Sequence, residues 1–148
     1  MKFTLSYNLS DHGWADAAIQ KDGKSYKINS ISYLSDAFTD LSNAVKFLLQ
    51  GSLESSCAFD HEPGRTKIKF IKSNENIKLQ IYSFQNELRD ESWEKGEIVF
   101  ECDTTLKRLK SQYLNEADRI LHNDGLKQYK EKWGYEFPKE IYNQIKNS

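Results

Sequence analysis

The chain has 148 residues, a length that fits one domain and buries about 70% of its extended surface without a disulfide or metal staple. Its 21 basic and 22 acidic side chains nearly cancel, which argues against a general nucleic-acid binder and against an acidic nucleic-acid mimic. Leu, Ile, Val and Phe fill 35 positions, above the disorder range, while 29% charged residues make the surface very polar.

The opening Met1–Tyr7 alternates polar with apolar residues and lacks the apolar core of a signal peptide. The longest apolar runs, such as Phe47-Leu48-Leu49, are far too short to span a bilayer. A cytoplasmic protein is therefore expected, with no membrane and no nucleic acid among its partners. In that compartment Cys57 and Cys102 read as two reduced thiols on strands rather than as a pair.

Phe3, Leu5, Tyr7 and Leu9 alternate and predict a first strand. Ser10–Gly13 turns the chain, and Ala15, Ala17 and Ile19 mark a second strand. Asp22-Gly23 is a two-residue hairpin signal leading into a third strand through Tyr26 and Ile28. Leu34, Ala37, Phe38, Leu41, Ala44, Val45 and Leu48 then recur at steps of three and four, predicting a long helix. Ser32 is its expected N-cap, Asp36 suits its positive end, and Gly51 is placed to stop it.

Residues 53–60 predict a fourth strand, closed by the turn signal Glu62-Pro63-Gly64. Alternation around Ile68 and Phe70, then around Ile77, Leu79 and Ile81, predicts two more strands. A charged loop over 85–96 precedes a last strand from Glu97 to Cys102. Asp103 or Thr104 caps a helix carrying Leu106, Leu109, Tyr113, Ala117 and Ile120 on one face. Gly125 stops or kinks it, and Pro138 opens a final helix to Ile145.

The expected order is β-β-β-α-β-β-β-β-α-α. It describes an α+β fold over residues 1–148, an antiparallel meander of about seven strands with two or three helices at its end. Leu41, Val45, Leu48, Phe70, Leu79, Ile81, Phe100 and Leu109 occupy apolar phases and form the expected core.

Chemistry is sparse. The chain has no phosphate loop, dinucleotide fingerprint, nucleophile elbow or zincin helix, so no catalytic, cofactor-binding or metal-ligating residue is expected. The densest group of ligand types is Cys57, Asp60, His61 and Glu62, but neighbouring strand residues point to opposite faces and do not converge. Asp36 and Asp40 lie four apart on the predicted helix, where paired carboxylates can exchange protons or hold a cation. The helix end explains one and solvation the other. His12 in a turn and His122 near a helix end read as solvated side chains.

Trp93 stands out. It lies in a segment made almost wholly of charge, with Arg89, Asp90 and Glu91 just before it. Aromatics framed by charge are typical of partner-binding hot spots, so these four residues are the expected partner-binding set. The competing reading makes Trp93 a clasp that folds back over the sheet.

Gly13-Trp14-Ala15, then Ser32 to Phe38, then Glu62-Pro63-Gly64, and finally Trp133 with Phe137-Pro138, together resemble a family of small uncharacterised bacterial single-domain proteins. The likeness spans nearly the full length and implies a bacterial single-domain protein, with no catalytic residue to carry over. Small proteins of this class are often immunity proteins or antitoxins. The expected function is therefore non-enzymatic protein binding by a monomer or homodimer. The alternative is a small enzyme or ligand binder using a cleft between sheet and helices.

Overall fold

The computed structural model describes residues 2–10, 12–61, 64–85 and 92–148. Its elements in chain order are β1 (Thr4–Leu9), β2 (Trp14–Lys21), β3 (Lys24–Ser32), α1 (Ala37–Leu49), β4 (Glu54–Asp60), β5 (Arg65–Ser73) and β6 (Asn76–Phe84). They continue with a short 3-10 turn (Trp93–Lys95), then β7 (Glu97–Thr105), α2 (Leu106–Asn123), α3 (Gly125–Trp133) and α4 (Lys139–Lys146). The fold is α+β, and its seven strands are all antiparallel to their neighbours.

The strands divide into two sheets, β1-β2-β3 and β4-β5-β6-β7. The division falls where α1 interrupts the meander. Within the first sheet Leu5 stands opposite Ile19 and Tyr7 opposite Ala17, which puts the apolar set on one face. Asp22 and Gly23 close the β2–β3 hairpin with φ of 53° and 80°, the left-handed pair that a two-residue hairpin turn requires.

Near the end of that hairpin the register shifts from Ala17–Ile28 to Ala15–Ile31. Asn29 and Ser30 are left without a partner residue in β2, and the Ser30 amide turns to the Asp16 carboxylate at 2.9 Å. In the second sheet Cys57, Ile68, Ile81 and Phe100 lie across one row of the inward face. β3 runs over this sheet from one side to the other. Tyr26 packs against Phe100 of β7 at 6.3 Å, while the Ser30 carbonyl meets His61 Nδ1 just past β4 at 3.1 Å.

Between the sheets and the helices lies one core, with Phe38 at its centre. Its ring lies 5.0 Å from Tyr7, 5.7 Å from Tyr113, 6.2 Å from Tyr129 and 5.8 Å from Phe137. Of the expected core, Leu41, Val45, Leu48, Phe70, Leu79, Ile81 and Leu109 are all buried. Phe100 is only partly buried, because it sits on β7, an outer strand covered on one side by Tyr26.

Helix ends differ from expectation in informative ways. Asp36, not Ser32, caps α1, its carboxylate accepting from the Thr39 amide at 3.4 Å. β3 runs on through Ser32 instead, which leaves Leu34 outside the helix and 47% exposed. Thr105 caps α2 through the Arg108 amide at 3.1 Å, since β7 continues beyond Cys102 to that residue. Gly51 takes φ 109° after α1, as the stop signal predicts. Gly125 breaks the C-terminal helical run, so three helices follow β7.

The edges of the first sheet control what is exposed. On β1, the Leu5 amide donates to Gln112 Oε1 at 3.1 Å and the Tyr7 amide to Glu116 Oε1 at 2.8 Å. Arg119 donates to the Tyr7 carbonyl at 2.5 Å, and Arg108 to the Phe3 carbonyl at 2.9 Å. Arg108, Gln112, Glu116 and Arg119 fall on one face of α2, at helical spacing. The helix thus supplies side chains where a fourth strand would supply backbone, and the β1 edge is closed to further pairing.

Candidate functional site

Trp93 is placed by the strands beneath it. Lys67 and Lys69 share the outward face of β5, and Tyr82 and Phe84 share that of β6. Lys67 lies directly opposite Tyr82, and Arg65 opposite Phe84. The chain returns over this face at Gly96, where a Cβ would stand 2.5 Å from Phe84 Cζ. Only glycine permits that approach.

The Trp93 ring then meets Tyr82 edge-on at 4.8 Å and Phe84 at 6.3 Å. Lys69 Nζ lies 4.3 Å from the ring centroid and Lys67 Nζ 5.1 Å from it. Ion–quadrupole attraction of this kind holds both ammonium groups against the aromatic surface. Tyr82 and Phe84 are buried by the arrangement, whereas Trp93 stays partly exposed. Ile98, which faces the same way opposite Tyr82, is 44% exposed. Arg89, Asp90 and Glu91, expected beside Trp93, lie outside the described residues.

A groove of about 720 Å³ opens between the two sheets rather than between sheet and helices. Residues Tyr26 to Ser30 of β3 form one wall. The opposite wall holds His61, Gly64 to Thr66, and Ser83 to Gln85. Phe84 belongs to both the groove and the Trp93 surface, so the two are contiguous.

His61 lines this groove with both ring nitrogens engaged, Nδ1 with the Ser30 carbonyl at 3.1 Å and Nε2 with Thr66 Oγ1 at 2.7 Å. Arg65 is held by Asp60 at 2.6 Å. These contacts tie the two sheets and the strand ends together.

The remaining candidates are dispersed. Asp36 accepts from Trp133 Nε1 at 3.0 Å, which pins α3 to the start of α1. Asp40 accepts from the Ala58 amide at 2.7 Å and so caps one position of the outer edge of β4. Loss of solvent raises the Asp40 carboxyl above its ordinary value, against the lowering effect of that amide. Asp36 and Asp40 therefore serve different elements and do not form an acid–base pair.

Cys57 is buried, and burial pushes its thiol well up; Cys102 is pushed up to about 11 by the same cause. They sit on the two outer strands of the four-stranded sheet, three spacings of about 4.8 Å apart, beyond disulfide reach. Among the described residues no three His, Cys, Asp or Glu side chains gather as a metal site. Glu62 lies outside those residues; Asp60 and His61 point to opposite sides, as strand alternation predicts. His122 falls in the last turn of α2, and His12 stands in the β1–β2 turn with φ 66°.

Two features went unread in the sequence. Gly96 carries the return of the chain over Phe84, and its only sequence signal was a glycine at the start of a strand. The stripe Arg108, Gln112, Glu116 and Arg119 looks like an ordinary solvated helix face, because nothing local shows that a strand edge lies against it.

The class defined by these observations is an α+β protein of two antiparallel sheets with an aromatic–lysine surface on the outward face of the second. No family model, curated protein or solved structure matches the chain. Among the described residues no helix is long and apolar enough to cross a membrane.

Proposed function

We propose that the chain is a non-enzymatic protein-binding module of the immunity-protein or antitoxin kind, using the Trp93 surface to hold a partner protein. The observation that carries this reading is the partly exposed Trp93 ring, seated on Tyr82 and Phe84 with Lys67 and Lys69 beside it. A preordered aromatic side chain costs little further entropy on binding, and a surrounding ring of charge sets specificity and encounter rate. Lys67 and Lys69 on the outward face of β5 favour a partner that brings carboxylates to this face. Two unpaired thiols suit a reducing compartment such as the bacterial cytoplasm.

The test compares capture of partner proteins by the wild type and by Trp93→Ala, followed by titration of the captured protein. Trp93→Ala is expected to weaken binding by about 2 kcal/mol or more, roughly 30-fold, with the melting temperature moved by only a few degrees. Equal affinity for the two proteins would remove the Trp93 surface from function. Unfolding of the variant would make Trp93 a clasp of the sheet and nothing more.

The second reading, a small enzyme or ligand binder, draws on the groove of about 720 Å³ between the sheets. The groove has the volume of a small-molecule site. His61 and Arg65, its best candidates for chemistry, already have their partners within the protein. The groove is better suited to shape recognition than to proton transfer.

A further inference from the structure

The β3 edge brings to the groove wall backbone groups that its ladder with β2 leaves over. The direction of its groups follows from β1. Leu5 and Tyr7 point their amides outward to α2, so the intervening residues Ser6 and Asn8 are those bonded to β2. Ser6 pairs with Ala18, which therefore spends its backbone groups on β1. Lys27 stands opposite Ala18 across the other ladder and can receive nothing from it. Its N–H and C=O thus face away from the sheet. Asn29, two residues on, has dropped out of register with β2 altogether.

Both residues line the groove, and no hydrogen bond within the described structure uses the outward groups of Lys27. His61 takes the Ser30 carbonyl and so marks where the open stretch ends. The five lining residues from Tyr26 to Ser30 extend about 16 Å at the usual strand rise.

We infer that this groove receives an extended segment of a partner protein, which adds as a fourth strand to β3. Each outward residue of β3 offers it one donor and one acceptor. The far wall is made by His61, Gly64 to Thr66 and Ser83 to Gln85. A second copy of this chain would lay β3, with Lys24 and Lys27 and no carboxylate, against itself, and is the poorer occupant.

Charge selects the segment further. The charged side chains among the described lining residues are Lys27 and Arg65, with His61 beside them and no carboxylate. Arg65 has Asp60, whereas Lys27 has no ion pair among the described residues. The segment that fits carries Asp or Glu where its side chain passes Lys27. This site extends the protein-binding reading to a second surface but does not depend on Trp93.

The probe is an acetylated and amidated five-residue peptide of alternating valine and glutamate, titrated into the full chain and followed by amide NMR. The expected result is saturable shifts at the Lys27 and Asn29 amides, with slowed hydrogen exchange at both. Lys27→Pro removes one outward N–H at a position where the ladder needs none, and should weaken binding at least tenfold. A peptide N-methylated on alternate amides tests the same bonds from the other side and should also bind at least tenfold more weakly. Lys69→Ala, which removes a cation from the Trp93 ring and lies outside the groove lining, should leave peptide binding unchanged, which separates failure here from failure of the Trp93 surface.

The inference is overturned if saturating peptide leaves the β3 amides unmoved, or if the N-methylated peptide binds equally well. Should Lys27→Pro fail to fold because its φ is fixed, the N-methylated peptide decides alone, and equal binding of it overturns the inference. Dimerisation through β3, seen as concentration-dependent shifts of the same amides without peptide, would assign the edge to a second copy and overturn it as well.

Discussion

The two edges of the first sheet are finished in opposite ways. On β1, four side chains of α2 reach the backbone at Phe3, Leu5 and Tyr7. On β3, Lys27 turns its backbone groups away from β2, on an edge that lines a groove. Strand composition does not explain the contrast, since both strands alternate apolar with polar residues. What differs is the neighbour. α2 follows β7 and is laid along β1, whereas β3 passes over the second sheet and meets it through only a few side chains. An open edge on a chain this polar is a place where a partner can add, and the closed edge restricts such pairing to one side.

The largest test of this comparison is of the support that both edges share. Leu41 is buried under the helix that joins the two sheets, and Leu41→Ala should cost about 2–5 kcal/mol in chemical denaturation through lost burial and a residual cavity. A loss under about 1 kcal/mol would mean that α1 does not carry the core.

Next comes the closed edge itself. Gln112 is buried and accepts the Leu5 amide, so Gln112→Leu strands a donor and should cost about 1–3 kcal/mol. An unchanged denaturation midpoint would show that α2 covers β1 without holding it.

A smaller effect is expected on the β4 edge, where Asp40 caps the Ala58 amide. The folded carboxyl titrates higher than the unfolded one, so the folded state binds the proton more tightly in between. Stability from this group is thus lost as pH rises through that window and regained on acidification. Asp40→Asn keeps an acceptor for Ala58 and should melt slightly above the wild type near pH 7, with the gap closing near pH 3. A variant less stable at neutral pH would show that the ionised cap is needed.

The smallest effect belongs to the open edge. Lys27→Pro breaks no ladder bond, so it should cost less folding free energy than Gln112→Leu. Equal losses from the two changes would erase the distinction between the edges.

Much of this architecture was legible in the sequence because it rests on local rules. Asp22-Gly23 specifies its hairpin by the two positive φ values it tolerates, and the Phe38–Leu48 stripe specifies α1 by its period. Helix starts were read less well. Ser32 and Asp36 are both able caps, and the choice fell to Asp36, which also receives the Trp133 indole from almost a hundred residues away. Trp93 was legible as an oddity, while its seat on Tyr82 and Phe84 was not, because the pairing of β5 with β6 and the close pass at Gly96 had first to exist.

By itself, then, the sequence determined the elements, their antiparallel pairing and most of the core, since periodicity, turn chemistry and apolar burial act within a few residues. Only the tertiary structure decided that seven strands form two sheets, that α2 closes one edge and that the other stays open. Those outcomes depend on side chains more than a hundred positions apart meeting one strand's backbone, as Gln112 meets Leu5. Backbone N–H and C=O groups are the same in every residue but proline, so no local pattern reveals which of them the fold will leave unpaired.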